Sequence, residues 1–326
     1  MSQIVVENLT KTYQISQRAK GLTGAFAGLF KREKKLIKAL NNVSFTIRPG
    51  ELVGYIGPNG AGKSTTVKIL SGILIPDSGK VQVMGRVPWK ERVHHVQHLG
   101  VVFGQRTQLW WDVPIIDSFE LLKDIYRIPR NKYNNKVEEL VEVLDLKELL
   151  DTPLRQLSLG QRMRCELAGS LLHNPELLFL DEPTIGLDAV SKLKVREFLK
   201  KHREEHGTTI ILTTHDMDDI EALCTRVMVI GHGKKLFDNS VEALRQKYAP
   251  ERRLIVEVDG KVPEHIDGAE LAAVEGNKVT ILFNPNNIPT PEIISKVSLS
   301  CTVKDLVVEN LPIEEIISRM YEEVAL

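Results

Sequence analysis

The chain has 326 residues, enough for one large domain and a smaller one, and 42% of them are hydrophobic, as in an ordinary globular protein. Lysine plus arginine and aspartate plus glutamate both number 43, so the charge balance gives no argument for a nucleic-acid-binding protein. Cys165, Cys224 and Cys301 form no metal-like pair, and we expect a reduced, cytosolic protein with small buried thiols. We also expect no signal peptide and no membrane-spanning segment, because no apolar run approaches the required length.

The first elements in chain order are a strand and a strongly basic stretch. Residues 3–7 predict a strand, followed by a turn and by Tyr13. Residues 16–38 contain seven lysines and arginines against a single acid, Glu33. The apolar residues in and just after this stretch fall roughly on one helical face, which indicates a basic amphipathic helix (Phe26, Leu29, Phe30, Ile37 and Leu40).

The next segment carries the most informative motif, Gly57-Pro58-Asn59-Gly60-Ala61-Gly62-Lys63-Ser64-Thr65. It fits the pattern G-x-x-x-x-G-K-[ST], which a chain of this length and average composition matches by chance about once in a hundred sequences. Residues 51–56 before it predict a buried strand, and residues 65–72 after it are apolar at helical spacing. This order aims backbone N–H groups and the positive end of a helix dipole at a polyphosphate. We therefore predict a nucleoside triphosphate site, in which Lys63 reaches the β- and γ-phosphates and the Ser64 hydroxyl binds Mg²⁺.

The remainder of the chain predicts an α/β domain followed by a smaller domain. Residues 106–165 are mainly helical in pattern, with breaks at Pro114, Pro129 and Pro153. Continuous apolar runs at 177–180, 208–213 and 226–230 predict strands covered on both faces, and their alternation with helices predicts a parallel sheet. After about residue 248 we interpret the pattern as a small α+β domain (strands at 253–258, 278–283 and 301–309; helices at 291–297 and 312–323).

Two acids follow the first of these apolar runs directly, Asp181 and Glu182. The carboxyl ends of parallel strands form the edge of a sheet where ligands bind. Asp181 is placed there to hold Mg²⁺, directly or through water, and Glu182 to polarise the water that attacks a γ-phosphate. The alternative, two solvated acids at a strand end, does not explain why an apolar strand stops on two acids before Pro183.

A second anion site is indicated at Leu157-Ser158-Leu159-Gly160-Gln161, which opens a helix. Ser158 is a preferred N-cap residue, and Gly160 permits close approach of the backbone to a ligand. Taken alone, this pattern is that of an ordinary helix cap. Its position shortly before the proposed catalytic strand favours the anion site.

Together these motifs resemble the nucleotide-binding subunit of ATP-binding cassette (ABC) transporters, over roughly residues 1–240. Six elements occur in the family's order: 57–65, Gln105, 157–161, 177–182, 186–188 and His215. The resemblance implies an α/β P-loop NTPase fold, the ABC cassette, with a mixed sheet core and a helical subdomain, followed by a small C-terminal α+β domain. The expected boundaries are 1–248 for the ATP-binding domain, with the basic insertion at 16–38 and the helical subdomain at about 106–165, and 249–326 for the accessory domain. Leu159 departs from the pattern, because the commonest family signature has glycine there.

The resemblance also implies how ATP and Mg²⁺ are bound. The phosphates lie on the loop formed by Gly57, Pro58, Asn59, Gly60, Ala61, Gly62, Lys63, Ser64 and Thr65. Tyr13 stacks on adenine, Mg²⁺ meets Ser64, Asp181 and Gln105, and the catalytic residues are Glu182, His215, Gln105 and Lys63. In the family two such domains pair head to tail, so that Ser158, Gly160 and Gln161 reach the partner's γ-phosphate and Asp188 bridges the interface. The structural alternatives are a Tyr13 that only packs against its strand, an exposed loop Gln105 and a structural His215.

Three further features have open interpretations. Trp110 and Trp111 either anchor a membrane subunit or fill the core of the helical subdomain. The basic insertion either rests on anionic lipid or on a membrane subunit, which we favour, or is a solvated loop at the nucleotide edge. The C-terminal tail resembles the accessory domain of many export-type subunits, and we expect it to regulate the protein or to stabilise a dimer.

We therefore expect an ATP-hydrolysing motor subunit of a membrane transporter, an exporter with separately encoded transmembrane permease subunits, at the cytoplasmic face of the plasma membrane. ATP binding would close a homodimer, or a pair of different cassette subunits, and hydrolysis would reopen it. A soluble ABC-type ATPase acting on nucleic acid or the ribosome is disfavoured by the balanced charge, the single phosphate loop and the lack of sustained heptads. A sensor that binds ATP without turnover is disfavoured by the presence of Asp181, Glu182 and His215.

Overall fold

A computed structural model of the chain describes residues 2–16, 34–104, 107–214, 216–260 and 265–325. It divides into two compact units, Met1–Asp238 and Asn239–Leu326. The strands that begin in the first unit are β1 (Ile4–Ser16), β2 (Lys34–Ile47), β3 (Leu52–Ile56), β4 (Ser78–Val83), β5 (Leu99–Phe103), β6 (Leu177–Asp181), β7 (Thr209–Thr213), β8 (Arg226–Gly231) and β9 (Lys234–Ser240). The α-helices of the first unit are α1 (Lys63–Leu70), α2 (Arg92–Val96), α3 (Ile115–Ile125), α4 (Arg130–Val143), α5 (Leu159–Leu171), α6 (Ala189–His206) and α7 (Met217–Leu223).

The larger sheet of the first unit has the strand order β5-β6-β7-β3-β8-β9. The neighbours β5 and β6, β6 and β7, β3 and β7, and β3 and β8 all run parallel. Every residue of β3 and of β7 is buried, which is why these segments read as continuous apolar runs rather than as alternating ones. The parallel α/β sheet predicted from the sequence is confirmed, and it brings the carboxyl ends of β3, β6 and β7 to one edge.

A second sheet covers this core, with the order β2-β1-β4 and antiparallel pairing throughout. β1 is longer than expected, because the chain does not turn after residue 7 but continues as strand to Ser16. Asn8 adopts a positive φ of 53°, and the register with β2 shifts on either side of Leu9, so irregularities in the strand replace the predicted turn.

The basic stretch at 16–38 differs from expectation wherever the structure describes it. Residues 34–38 belong to β2 rather than to a helix, and Ile37 pairs with Tyr13 across the sheet. Pairing with β1 satisfies the backbone of these residues, so the helical spacing of the apolar side chains does not decide their conformation. Residues 17–33, including Phe26, Leu29 and Phe30, lie outside the described residues.

The helical part of the first unit contains α3, α4, two 3-10 turns at 147–149 and 154–156, and α5. Pro114, Pro129 and Pro153 each stand immediately before a helical segment, where the missing N–H of proline is tolerated. The last helix begins at Leu159, directly after the Ser158 cap, and continues to Leu171. In the described part of the chain, no helix is both long and apolar enough to cross a membrane.

The second unit contains a four-stranded antiparallel sheet of order β11-β12-β10-β13. Its elements are the helix α8 (Val241–Tyr248), β10 (Arg252–Asp259), β11 (Glu270–Glu275), β12 (Lys278–Phe283), α9 (Thr290–Ser300), β13 (Thr302–Asn310) and α10 (Ile313–Ala325). The sequence pattern misses β11, because this edge strand is almost entirely exposed and so lacks an apolar alternation. α8 falls in this unit, so the junction at Asp238–Asn239 precedes the boundary expected at 248/249.

Candidate nucleotide-binding site

The glycine loop joins β3 to α1, as its sequence predicted, and its backbone is held against two other segments. Gly62 has a φ of 109°, and a Cβ there would stand 2.4 Å from the Ala39 carbonyl oxygen. A Cβ at Gly57 would stand 2.3 Å from the Ile230 carbonyl oxygen. Larger residues are therefore excluded at both positions, and the backbone can pass close to β2 and β8 before α1 begins at Lys63.

Lys63 is buried beneath this loop, with 7% of its surface exposed. Its Nζ donates hydrogen bonds to the carbonyl oxygens of Gly57 at 2.7 Å and Pro58 at 3.3 Å. Burial lowers the pKa of Lys63, and the nearby carboxylates of Glu182 and Asp181 oppose that shift. A buried ammonium whose present partners are neutral carbonyls gains strongly from an anion, so its surroundings suit a polyphosphate.

Asp181 connects the loop to the end of β6. The Ser64 hydroxyl donates to Asp181 Oδ2 at 3.2 Å, and the Thr213 hydroxyl donates to Asp181 Oδ1. Thr213 lies opposite Asp181 in the parallel register of β6 and β7, which explains this contact between residues far apart in sequence. No role for Thr213 was predicted from the sequence, although its place at the end of an apolar strand was a usable signal.

These oxygens are the hard donors that Mg²⁺ prefers. Within the described ranges, no group of three or more His, Cys, Asp and Glu side chains is arranged to hold a metal by itself. The hydroxyl and carboxylate pair therefore fits a Mg²⁺ that takes most of its remaining ligands from water and substrate phosphates, as this ion usually does.

Glu182 stands just beyond the strand, in a left-handed backbone conformation with φ 58°. Its N–H donates to the Thr213 carbonyl at 2.8 Å, and the Gly104 N–H donates to the Asp181 carbonyl at 2.7 Å. Such a φ is uncommon for a non-glycine residue and is over-represented at functional sites. A cavity of about 330 Å³ opens beside it, lined by Ser64, Lys68, Ile73, Phe103, Gly104, Asp181 and Glu182.

The second predicted anion site begins α5. Ser158 and Gln161 form a reciprocal capping box, with Ser158 N donating to Gln161 Oε1 at 2.8 Å and Gln161 N donating to Ser158 Oγ at 3.3 Å. The unusual Leu159 does not disturb this cap, and 42% of its surface is exposed. A Cβ at Gly160 would stand 2.6 Å from Ser191 Oγ, so this glycine allows the start of α5 to approach α6.

Asp188 caps α6 close by. Its carboxylate accepts from Ser191 N at 2.9 Å and from Ser191 Oγ at 2.8 Å. These hydrogen bonds lower the pKa of Asp188 and keep the exposed carboxylate ionised. The structure therefore brings the buried Gly160 close to the exposed Asp188 through their shared neighbour Ser191.

The remaining predicted residues lie at the surface or outside the described ranges. Tyr13 in β1 is 37% exposed, which leaves its ring accessible to a planar ligand. Gln105 and His215 both fall outside the described residues, so their predicted roles stay predictions. Trp110 and Trp111 are 40% and 47% exposed, which argues against the interpretation that they fill the core, and the Arg162 guanidinium lies over the Trp111 ring at 4.6 Å.

Comparison with known proteins agrees with this site. Residues 40–185 match the ABC transporter family model. The chain is 32% identical over 215 residues to the ABC transporter ATP-binding protein NatA of Bacillus subtilis (strain 168), a match that covers 66% of this chain and 87% of NatA. The chain belongs to the ABC transporter family. As the ATP-binding subunit of an ABC transporter, it binds ATP and hydrolyses it.

Other relatives of this ABC subunit are named for opposite directions of transport. The chain is 35% identical over 228 residues to the Nod factor export ATP-binding protein I of Rhizobium sp. (strain N33), covering 70% of this chain and 73% of the relative. It is 30% identical over 270 residues to the methionine import ATP-binding protein MetN 2 of Enterococcus faecalis (strain ATCC 700802 / V583), covering 79% and 77%. Among solved structures, the dimeric post-hydrolysis state of the ATP-binding cassette MJ0796 bound to ADP and Pi matches with a TM-score of 0.61 and 27% identity, over 73% of this chain and 98% of that one. The predicted cassette fold is thus confirmed.

Proposed function

We propose that this ABC subunit is the motor of an exporter, and that two identical copies close around two ATP molecules to drive separately encoded transmembrane permease subunits. The dimeric MJ0796 cassette, bound to ADP and Pi, supports the pairing. The Nod factor export relative supports export, whereas the methionine import relative is named for the opposite direction of transport. The subunit would act at the cytoplasmic face of the plasma membrane as a peripheral protein.

The observation that carries the proposal is the contact between the glycine loop and the end of β6. Ser64 lies in the first turn of α1 and Asp181 ends β6, and their side chains meet at 3.2 Å beside the buried Lys63. We assign the phosphates to Gly57–Thr65, the adenine ring to Tyr13 and Mg²⁺ to Ser64 and Asp181, with Gln105 as its third predicted contact. When bound, Mg²⁺ would neutralise charge on the β- and γ-phosphates.

The chemistry that these residues support is attack of water on the γ-phosphorus. The bond from that phosphorus to the β,γ-bridging oxygen breaks, and ADP and phosphate leave. Glu182, whose N–H donates to the Thr213 carbonyl at the rim of the cavity, orients the water and accepts a proton from it as the new bond from oxygen to phosphorus forms. Lys63 stabilises the developing charge, and His215 and Gln105 are proposed to complete the arrangement around the γ-phosphate.

The second half of each site would come from the partner copy. Ser158 is exposed at the positive end of α5, and the exposed Asp188 lies on the same surface. Ser158, Gly160 and Gln161 are therefore assigned to the partner's γ-phosphate, and Asp188 to the interface.

Glu182→Gln tests this proposal. The amide keeps the size of the side chain but cannot act as the base, so we expect hydrolysis to fall at least about 100-fold while ATP binding persists. With saturating ATP, the variant should elute from a sizing column as a stable dimer. Glu176→Gln, an exposed residue at the opposite end of β6, is the matched control and should hydrolyse ATP like the unaltered chain. A Glu182→Gln chain that stays monomeric at saturating ATP would refute the shared site.

A further inference from the structure

A buried carboxylate on α5, Glu166, has no part in the site described above. It lies about two helical turns after Ser158 and is 6% exposed. No lysine or arginine of the described ranges lies within ion-pair distance of it, and burial raises its pKa. Burying a carboxylate without a cation costs free energy unless hydrogen bonds satisfy its oxygens. The hydrogen-bond partners of Glu166 therefore indicate its role.

Those partners belong to the short segment Thr107–Leu109. The Thr107 hydroxyl donates to Glu166 Oε1, and the Gln108 N–H donates to Glu166 Oε2 at 3.2 Å. The Gln108 side-chain amide donates in turn to the Glu166 carbonyl at 2.9 Å. One helical residue thus binds the segment through both its side chain and its backbone.

Gly169, about one turn further along α5, makes room for the same segment. A Cβ at Gly169 would stand 3.0 Å from Leu109 Cδ2 and 3.6 Å from Gln108 Nε2. On one face of the helix, Glu166 therefore accepts hydrogen bonds from the segment Thr107–Leu109, and Gly169 leaves space for the side chains of that segment.

The segment stands between the reaction centre and an exposed aromatic surface. On its N-terminal side, Gly104 is bonded to the Asp181 carbonyl at 2.7 Å, and a Cβ at Gly104 would stand 2.5 Å from the Glu182 carbonyl oxygen. On its C-terminal side follow Trp110 and Trp111, the latter under Arg162 of the same helix α5. The chain is thus fixed to the catalytic strand before residues 105–106 and to the Ser158 helix after them.

From these contacts we propose that Glu166 is a positioning residue that locks Thr107–Leu109 onto α5, so that changes at the γ-phosphate end of β6 reach the Ser158 helix and the Trp110–Trp111 surface together. This inference rests on the proposed function, in which Ser158 acts on the partner's ATP. It predicts that loosening the lock harms turnover far more than it harms the binding of ATP to the glycine loop.

The test compares Glu166→Met with Thr107→Val. The methionine side chain is unbranched and apolar, so it fills the buried position but cannot accept from Thr107 or Gln108, and the valine lacks the hydroxyl donor while keeping its shape. For each folded variant we expect the Kd for ATP, measured by equilibrium titration, to change by less than about twofold, while kcat falls about tenfold because the reacting groups are misplaced. The double variant should be no slower than the slower single one, since both changes break the same contact. Glu138→Gln, an exposed acid on the neighbouring α4, is the control and should leave both constants unaltered.

Several outcomes would overturn the lock. A folded Glu166→Met chain with kcat within twofold of the unaltered chain, or a double variant whose losses multiply, would show that Glu166 does not position this segment. If burial makes Glu166→Met unstable, Thr107→Val decides alone, because Thr107 lies at the surface. If kcat and the folded fraction measured by circular dichroism fell in parallel, the role of Glu166 would be purely structural. If the unaltered chain did not dimerise in the presence of ATP, the proposed function would instead be refuted.

Discussion

At the scale of single residues, the site depends on the surroundings of two charged groups, Lys63 and Asp181. Lys63 is buried, and among the described residues its Nζ donates only to loop carbonyls, while Asp181 accepts hydrogen bonds from two hydroxyls. Both arrangements leave a cation and an anion ready for ligands of opposite charge, a polyphosphate and Mg²⁺. The precision comes from the sheet, because β6 and β7 place Asp181 directly opposite Thr213.

Burial of a histidine also makes the stability of the folded chain depend on pH, and His202 on α6 is the clearest case. It is 3% exposed, its Nε2 lies 3.2 Å from Thr208 Oγ1, and burial lowers its pKa from 6.5 to about 4. The folded chain therefore keeps His202 neutral where the unfolded chain protonates it, so stability present above pH 6.5 is lost as the pH falls towards 4.

His202→Gln should remove this contribution. At pH 5 the unaltered chain should lose about 2 kcal/mol through His202 relative to pH 7.5, and the glutamine variant should not. Urea titrations at the two pH values measure the difference, with the exposed His265→Gln as control. An equal loss of stability in both the variant and the unaltered chain would contradict the assignment.

At the scale of elements, Ser158 at the start of α5 has two roles. Ser158 must cap the helix, and in the proposed function it must also face a phosphate of the partner copy. Leu159 shows that the capping demand tolerates sequence change, because the reciprocal bonds of Ser158 and Gln161 form beside it.

Ser158→Asp separates the two demands. Aspartate is as good an N-cap as serine, so the free energy of unfolding should change by less than about 0.5 kcal/mol. Its negative charge would repel a γ-phosphate, so ATP-driven dimerisation in the Glu182→Gln background should be lost. Ser158→Asn, a neutral cap, is the matched control and should retain most of the dimer in analytical ultracentrifugation. Normal dimerisation of the aspartate variant would place the phosphate elsewhere.

At the scale of the whole molecule, the proposal requires each reaction centre to contain parts of two copies. Lys63→Ala destroys the loop side of a site, and Ser158→Asp destroys the partner side. Each variant alone should be inactive, because both of its sites carry a defect. In a mixed dimer, the two defects meet in one site and leave the other intact.

Mixing the two inactive variants in equal amounts should therefore restore activity. Half of the dimers should be mixed and each should have one working site, which gives about a quarter of the unaltered rate if the sites are independent. Phosphate release measures the recovery. A mixture as inactive as its components would show that a single copy forms the whole site, or that one site cannot work without the other, and a covalently linked pair distinguishes these outcomes.

Much of this architecture was predictable from local sequence. The glycine loop, the parallel strands, the acids ending β6 and the Ser158 cap all depend on spacing within a few residues, and all lie where the pattern placed them. The errors arose where long-range pairing overrode local signals. The first strand continues past its predicted turn because β2 pairs with it, and the exposed edge strand β11 had no apolar pattern to reveal it.

The sequence by itself determined that the chain binds a nucleoside triphosphate and belongs to an α/β class, because these conclusions follow from residue types at short, fixed intervals. Only the tertiary structure decided that Ser64 meets Asp181, that Thr213 supports it and that Glu166 holds Thr107–Leu109. These contacts join residues tens of positions apart, and they exist because the sheet order β6-β7-β3 sets distant strand ends side by side. Strand order reflects how buried surfaces pack together, and no short window of sequence contains that information.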